Sequence, residues 1–164
     1  MFSLGLDIGS SSVKAALTET HTGKKIAFVQ EPKDEMEIIS VKSSWAEQDP
    51  NRWWKIVCAA IKKLLQNSGV DSSEIQRIGI AYQMHGLVVV DQSGECLRNS
   101  IIWCDSRAVS IGEKAYKDLG AKKCMDHLLN SPANFTASKL KWVKENEPHI
   151  YEKIHKYMLP GDYI

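Results

Sequence analysis

Three short segments carry residue types suited to chemistry. The first is Asp7-Ile8-Gly9-Ser10-Ser11-Ser12-Val13-Lys14, set between two apolar stretches. Glycine lets backbone N–H groups approach a phosphate closely, and a turn of successive N–H groups makes an anion-binding concavity. The hydroxyls of Ser10, Ser11 and Ser12 add donors and Lys14 adds a positive charge. The Asp7 carboxylate can hold Mg²⁺, usually through water, beside the phosphates. The same string also reads as an ordinary hairpin turn with surface serines. It is not a Walker A loop, which requires G-x-x-x-x-G-K-[ST].

The second segment, Gln83-Met84-His85-Gly86, directly follows an apolar strand, the place where α/β folds often read ligands. Gln and His offer directional hydrogen bonds to sugar hydroxyls, and Met offers adaptable apolar contact. A loop histidine with no ligand is the plainer reading of that composition. The third is Trp103-Cys104-Asp105-Ser106-Arg107. Trp103 presents an apolar face to a sugar's C–H groups, Asp105 can accept from two hydroxyls, and Arg107 can hold Asp105 or touch the ligand. The rival reading makes Asp105 a helix N-cap and Arg107 a surface charge.

The elements around these segments follow from periodicity. Phe2, Leu4 and Leu6 alternate into Asp7, Val13 to Leu17 gives a second strand, and Ile26, Phe28 and Gln30 continue as a third, an antiparallel meander. Residues 31–44 are polar and read as loop with some strand. Asp49 caps a helix with Pro50 at its first position. Trp53, Trp54, Val57, Cys58, Ile61, Leu64 and Leu65 share its apolar face, and Gly69 ends it. Arg77 to Gln83 reads as a buried strand, Leu87 to Val90 as another closed by a turn at Asp91 to Gly94, and Ser100 to Trp103 as a third. Helices follow: one with Ala108, Ile111, Ala115 and Leu119 on a face before Gly120, one over 121–129, one starting at Thr136 with Leu140, Val143 and Trp142 inward, and a short one from Pro148. Tyr157 to Leu159 returns to strand. This order specifies an α/β domain, and the ending at Ile164 reads as an interruption in mid-fold.

Composition narrows the function classes. Twenty-one basic residues against 20 acidic ones are scattered, not gathered into the basic surface that nucleic-acid binders show. No apolar run approaches the ~18 residues of a membrane span, and no signal peptide opens the chain. Cys58, Cys96, Cys104 and Cys124 form no C-x-x-C and no zinc spacing, so they read as reduced thiols of a cytoplasmic protein.

Taken together the motifs resemble a known family. Asp7-x-Gly9-Ser10-Ser11 resembles the first phosphate loop of the sugar kinase, actin and chaperone ATPase superfamily. Trp45-Ala46-Glu47-Gln48-Asp49-Pro50 with Trp53-Trp54, then Gln83-Met84-His85-Gly86, then Trp103-x-Asp105-x-Arg107, resemble the FGGY carbohydrate kinases. The Gln-Met-His-Gly segment, residues 134–140 and Leu159-Pro160-x-Asp162-Tyr163 are similar to the xylulokinase branch. The resemblance implies a ribonuclease-H-like α/β fold, with residues 1–164 forming an incomplete N-terminal lobe that carries the sugar side and first phosphate loop but not the second lobe.

It implies phosphorylation of D-xylulose by Mg-ATP in the parent enzyme, with Asp7 near the metal and Gly9, Ser10, Ser11 and Ser12 on phosphate. Lys14 matches a variable basic position, and Met84, His85, Trp103 and Asp105 match the sugar side. The general base, an aspartate, is expected downstream of Ile164, leaving no catalytic base here and a nearly inactive fragment. Kinases for ribulose, rhamnulose or gluconate, or a non-catalytic sugar-binding lobe, are the alternatives. An unpaired sheet edge also implies self-association, visible as dimers in light scattering.

Overall fold

The structure, a computed structural model, describes residues 1–164. In chain order the elements are β1 (Phe2–Ile8), β2 (Val13–Glu19), β3 (Lys25–Glu31), β4 (Glu47–Gln48), α1 (Pro50–Ser68), β5 (Ile75–Tyr82), β6 (Val88–Val90), β7 (Ser100–Ile101), α2 (Val109–Leu119), α3 (Ala121–Leu128), α4 (Thr136–Asn146), α5 (Pro148–Tyr151), β8 (Lys156–Met158) and α6 (Pro160–Tyr163). They form two compact units. The first takes Met1–Glu37, Asn51–Gln83 and Ile164; the second takes Ile38–Pro50 and Met84–Tyr163. No helix is long and apolar enough to cross a membrane.

The first unit is built on one sheet of order β3-β2-β1-β5. Strands β1 and β2 pair antiparallel from Phe2↔Glu19 to Ile8↔Val13, β2 and β3 likewise, and β1 runs parallel to β5. Alternation decides the faces: Leu4, Leu6 and Ile8 of β1 and Val13, Ala15 and Leu17 of β2 are buried. Helix α1 buries Trp53, Val57, Ala60 and Leu64, a run spaced by three and four residues. It ends as expected, with Gly69 at φ 67° donating its N–H to Leu65 O at 3.0 Å.

Two expectations fail in this unit. Trp54, assigned to the core with Trp53, is half exposed because the next residue on a helix lies about 100° around the axis. Strand β5 starts at Ile75 and is not buried: Ile78 is 63% and Ile80 42% exposed. It stands at the sheet edge with β1 as its one partner, so its apolar run marks a surface.

The second unit joins two short antiparallel ladders, β4 with β7 and β6 with β8, through a bridge between Leu87 and Ile101. Leu87, Val89, Ile101 and Val143 are its fully buried core, with Leu97, Leu140, Trp142, Ile150, Tyr151 and Ile154 packed around them. The strands are shorter than the periodicity suggests, and Leu119, placed on the inner face of α2, is 48% exposed. Thr136 opens α4 without capping it; its Oγ1 donates to Gly86 O at 3.4 Å.

Two glycines in this unit allow close approach. A Cβ on Gly112 would strike Ala133 Cα and Pro132 O, so α2 lies directly on the backbone of the 3₁₀ turn Pro132–Asn134. A Cβ on Gly86 would lie 2.5 Å from Pro160 Cγ. We expect Gly112→Ala to cost about 1–3 kcal/mol in urea unfolding, the range of an overpacked core. Gly79→Ala, with open space at its Cβ, should stay within about 0.5 kcal/mol of the parent. Equal effects would show that the α2 contact is not tight.

Candidate active site

The residues expected to hold phosphate come together at one end of the β1–β2 hairpin in the first unit. The register sets Asp7 directly opposite Lys14, and their side chains form a 3.2 Å ion pair, each about half exposed. The turn is closed by the Gly9 N–H donating to Ser12 O at 3.0 Å, and a Cβ on Gly9 would crowd that same oxygen at 3.2 Å. Ser11 is exposed and its carbonyl accepts from the Met36 N–H at 2.8 Å, while Ser12 is buried.

An exposed ion pair is worth only about 0–1 kcal/mol, so Lys14 can leave Asp7 for a phosphate. No three His, Cys, Asp or Glu side chains converge anywhere to hold a metal. One carboxylate suits Mg²⁺, which keeps water and substrate phosphate oxygens as its other ligands.

Three of the four residues expected on the sugar side meet in the second unit. Met84, His85 and Trp103 line a cavity of about 310 Å³ together with Asn130, Ser131, Ala133, Asn134 and Phe135. His85 holds a left-handed backbone at φ 59°, a costly conformation for a residue with a Cβ, and its ring stacks on Phe135 at 4.5 Å. Burial, and then the charge of Lys139, hold the imidazole below its ordinary 6.5. It is therefore neutral at pH 7, with one nitrogen donating and one accepting. Trp103 is 46% exposed. Asn134 Nδ2 donates to Trp103 O, while Asn134 Oδ1 is buried with no protein partner. A larger cavity of about 630 Å³ elsewhere in this unit is lined by none of the residues singled out for chemistry.

Asp105 has a different place from the one its motif suggests. It is fully buried, and both carboxylate oxygens are occupied within the protein. Oδ1 accepts from the Arg107 backbone N–H at 2.9 Å, and Oδ2 accepts from the Ala46 N–H at 2.6 Å and from Arg107 Nη2 at 2.7 Å. Arg107 is buried as well. Its guanidinium lies 3.8 Å from the Trp45 ring centroid and pairs with Glu47 at 2.7 Å. Arg98 joins Glu47 and Glu147 on the same network. Of the two sequence readings, Arg107 holding Asp105 is the observed one. The carboxylate does not face the cavity solvent, and α2 begins beyond it at Val109.

Residues 2–164 match the N-terminal domain of the FGGY family of carbohydrate kinases. The chain belongs to that family. It is 35% identical over 166 residues to the xylulose kinase of Bacillus subtilis (strain 168), across 98% of this chain and 32% of that protein. It is 32% identical to the Escherichia coli (strain K12) xylulose kinase over 161 residues, with 98% of this chain and 32% of that protein covered. The fold superposes on a xyloylose kinase from Brucella ovis with a TM-score of 0.88 at 32% identity, covering 99% of this chain and 33% of that one. A gluconate kinase from Lactobacillus acidophilus superposes at 0.84 and 27% identity, covering 99% and 32%. The chain thus spans about a third of the length of the relatives it matches, and its fold is that of the actin-like sugar kinases.

Sequence reasoning missed Asn130, Ser131, Asn134 and Phe135 as cavity walls, and Lys139 behind them. One signal was available: Lys139 precedes Val143 by four residues, which puts a lysine on the apolar face of this FGGY chain's α4.

Two outcomes are expected. Asp105→Ala should destabilise the protein by about 3–5 kcal/mol in urea, because it leaves the buried Arg107 with Glu47 as its one carboxylate partner and the Ala46 N–H without its acceptor. Asp118→Ala, which breaks an exposed i,i+4 pair with Lys114, should cost under about 0.5 kcal/mol. A small loss for Asp105→Ala would contradict the buried network. For His85, the unfolded chain binds a proton more readily than the folded one. Stability from this group is complete above pH 6.5 and declines as pH falls below that value. Thermal midpoints from pH 7.5 to 5 should therefore fall less steeply for His85→Gln than for the parent; parallel curves would contradict this.

Proposed function

We propose that this chain is the sugar-side part and first phosphate loop of a cytoplasmic ATP-dependent carbohydrate kinase that converts D-xylulose to xylulose 5-phosphate. The observation that carries the reading is the cavity walled by Met84, a neutral His85 and Trp103 in a chain of this family. The xylulose kinases among its relatives support D-xylulose as the sugar. Similarity to a gluconate kinase keeps a kinase for another sugar, ribulose, rhamnulose or gluconate, as the second reading.

Phosphoryl transfer needs positioning and charge stabilisation more than covalent chemistry from the protein. The Gly9–Ser12 turn, closed by the Gly9 N–H on Ser12 O, would hold phosphate oxygens through the N–H and hydroxyl groups it presents at Ser10 and Ser11, with Lys14 moving from Asp7 to phosphate. Asp7 would hold Mg²⁺, which when bound neutralises charge on the phosphates. In the cavity, His85 and Asn134 offer donors and acceptors to hydroxyls, and Trp103 offers an apolar face to C–H groups. No residue of this chain is assigned as the general base; that aspartate is expected downstream of Ile164.

The test is ADP release from Mg-ATP over a panel of D-xylulose, D-ribulose, L-rhamnulose and D-gluconate. It compares the 164-residue chain with the protein expressed from its complete reading frame. We expect D-xylulose-dependent release that requires sequence beyond residue 164. Preference for another sugar would overturn the substrate. Sugar-dependent turnover by the 164-residue chain would overturn the position of the base and turn attention to His85, Asp91 and Asp105.

A further inference from the structure

Lys139 is the most deeply buried charged side chain outside the Arg107 network, with none of its surface exposed. A buried ammonium is costly unless its protons are bonded. Here the acceptors are two main-chain carbonyls: His85 O at 2.8 Å and Asn134 O at 3.1 Å. Burial pushes the amine down to about 8, only partly opposed by the negative charge of Asp105, with Arg107 adding to the depression.

Both carbonyls belong to residues that line the cavity. His85 lies 54 residues before Lys139 and Asn134 five before it, so one ammonium bonds two segments distant in sequence; the Thr136 hydroxyl, donating to Gly86 O at 3.4 Å, is a second and longer tie between them. His85 also carries the left-handed backbone, and Phe135, next to Asn134, carries the ring on which His85 stacks. A main chain in that conformation persists only where its surroundings over-determine it. The Lys139 bond to His85 O supplies that constraint from behind, while the imidazole is left free on the cavity side.

We propose that Lys139 is a positioning residue for sugar recognition: its ammonium ties the His85 turn to the Asn134–Phe135 segment and so sets the cavity width and the orientation of the imidazole. This rests on the sugar-kinase reading for its consequence in turnover, but not for its structural content.

The experiment uses Lys139→Met, which keeps length and bulk while removing the bonds, and Lys139→Gln as a second variant should the first fold poorly. Both are made in the protein expressed from its complete reading frame. Loss of positioning should raise KM for D-xylulose by roughly tenfold or more, with KM for ATP and kcat changed less than about threefold. In a double-mutant cycle, Lys139→Met should add little to the KM of His85→Ala, because the lysine acts through that residue. Additive effects, or equal losses in KM for both substrates, would show a merely structural lysine and overturn the proposal.

A sugar-free readout separates this from the kinase reading. His85 ring protons stacked on Phe135 should resonate upfield in the NMR spectrum of the parent, and the shift should collapse in Lys139→Met. A preserved shift overturns the proposal whatever the substrate. A collapsed shift in a protein without sugar-dependent turnover supports the positioning and overturns only the kinase reading.

Discussion

The buried guanidinium of Arg107 is the constraint on which the second unit depends. It lies against the rings of both Trp45 and Trp142, which themselves meet edge to face at 5.2 Å, and it pairs with Asp105 and Glu47. A charge this deeply buried tolerates only a complete set of partners. The segment before β4, the loop after β7 and α4 must therefore all be in place for it to be satisfied. That requirement fixes where the 103–107 turn stands, and Trp103 is carried into the cavity as a result. Asp105 thus holds the frame of the cavity and does not face it.

A similar logic governs smaller features. The β1–β2 register places Lys14 opposite Asp7, and this alone brings a cation and a carboxylate to the mouth of the Gly9–Ser12 turn. Gly112 lets α2 rest on the backbone at Pro132 and Ala133, which settles the segment leading into Asn134 and Phe135. In each case a steric or electrostatic condition decides where a side chain of the candidate site stands.

Much of this was readable from the chain. Period-two alternation in β1 and β2 and the 3.6-residue spacing of α1 exposed those elements directly, because one face of each is covered. Strand β5 was misread as buried since an apolar run says nothing about what lies over it. The three motifs singled out Met84, His85 and Trp103, which the fold brings to one cavity, and Asp7 and Lys14, which it pairs across the β1–β2 hairpin. They misplaced Asp105, because an acid beside an arginine reads equally as ligand or as ion pair until burial is known. Asn134 and Phe135 stood in the 134–140 segment that carries the family resemblance, but nothing in it assigned them to the cavity: Phe135 meets His85 through long-range packing, which no local pattern encodes.

The most direct measurement of the central claim is a D-xylulose titration of the 164-residue chain, followed by side-chain NMR of its tryptophans, histidines and tyrosines. Saturable shifts confined to the Trp103 indole and the His85 imidazole are the expected result, with D-gluconate producing weaker ones. Shifts that spare both rings and fall instead on Tyr151 and Tyr157, which line the larger cavity, would contradict the placement of the sugar between residues 84–85, 103 and 130–135.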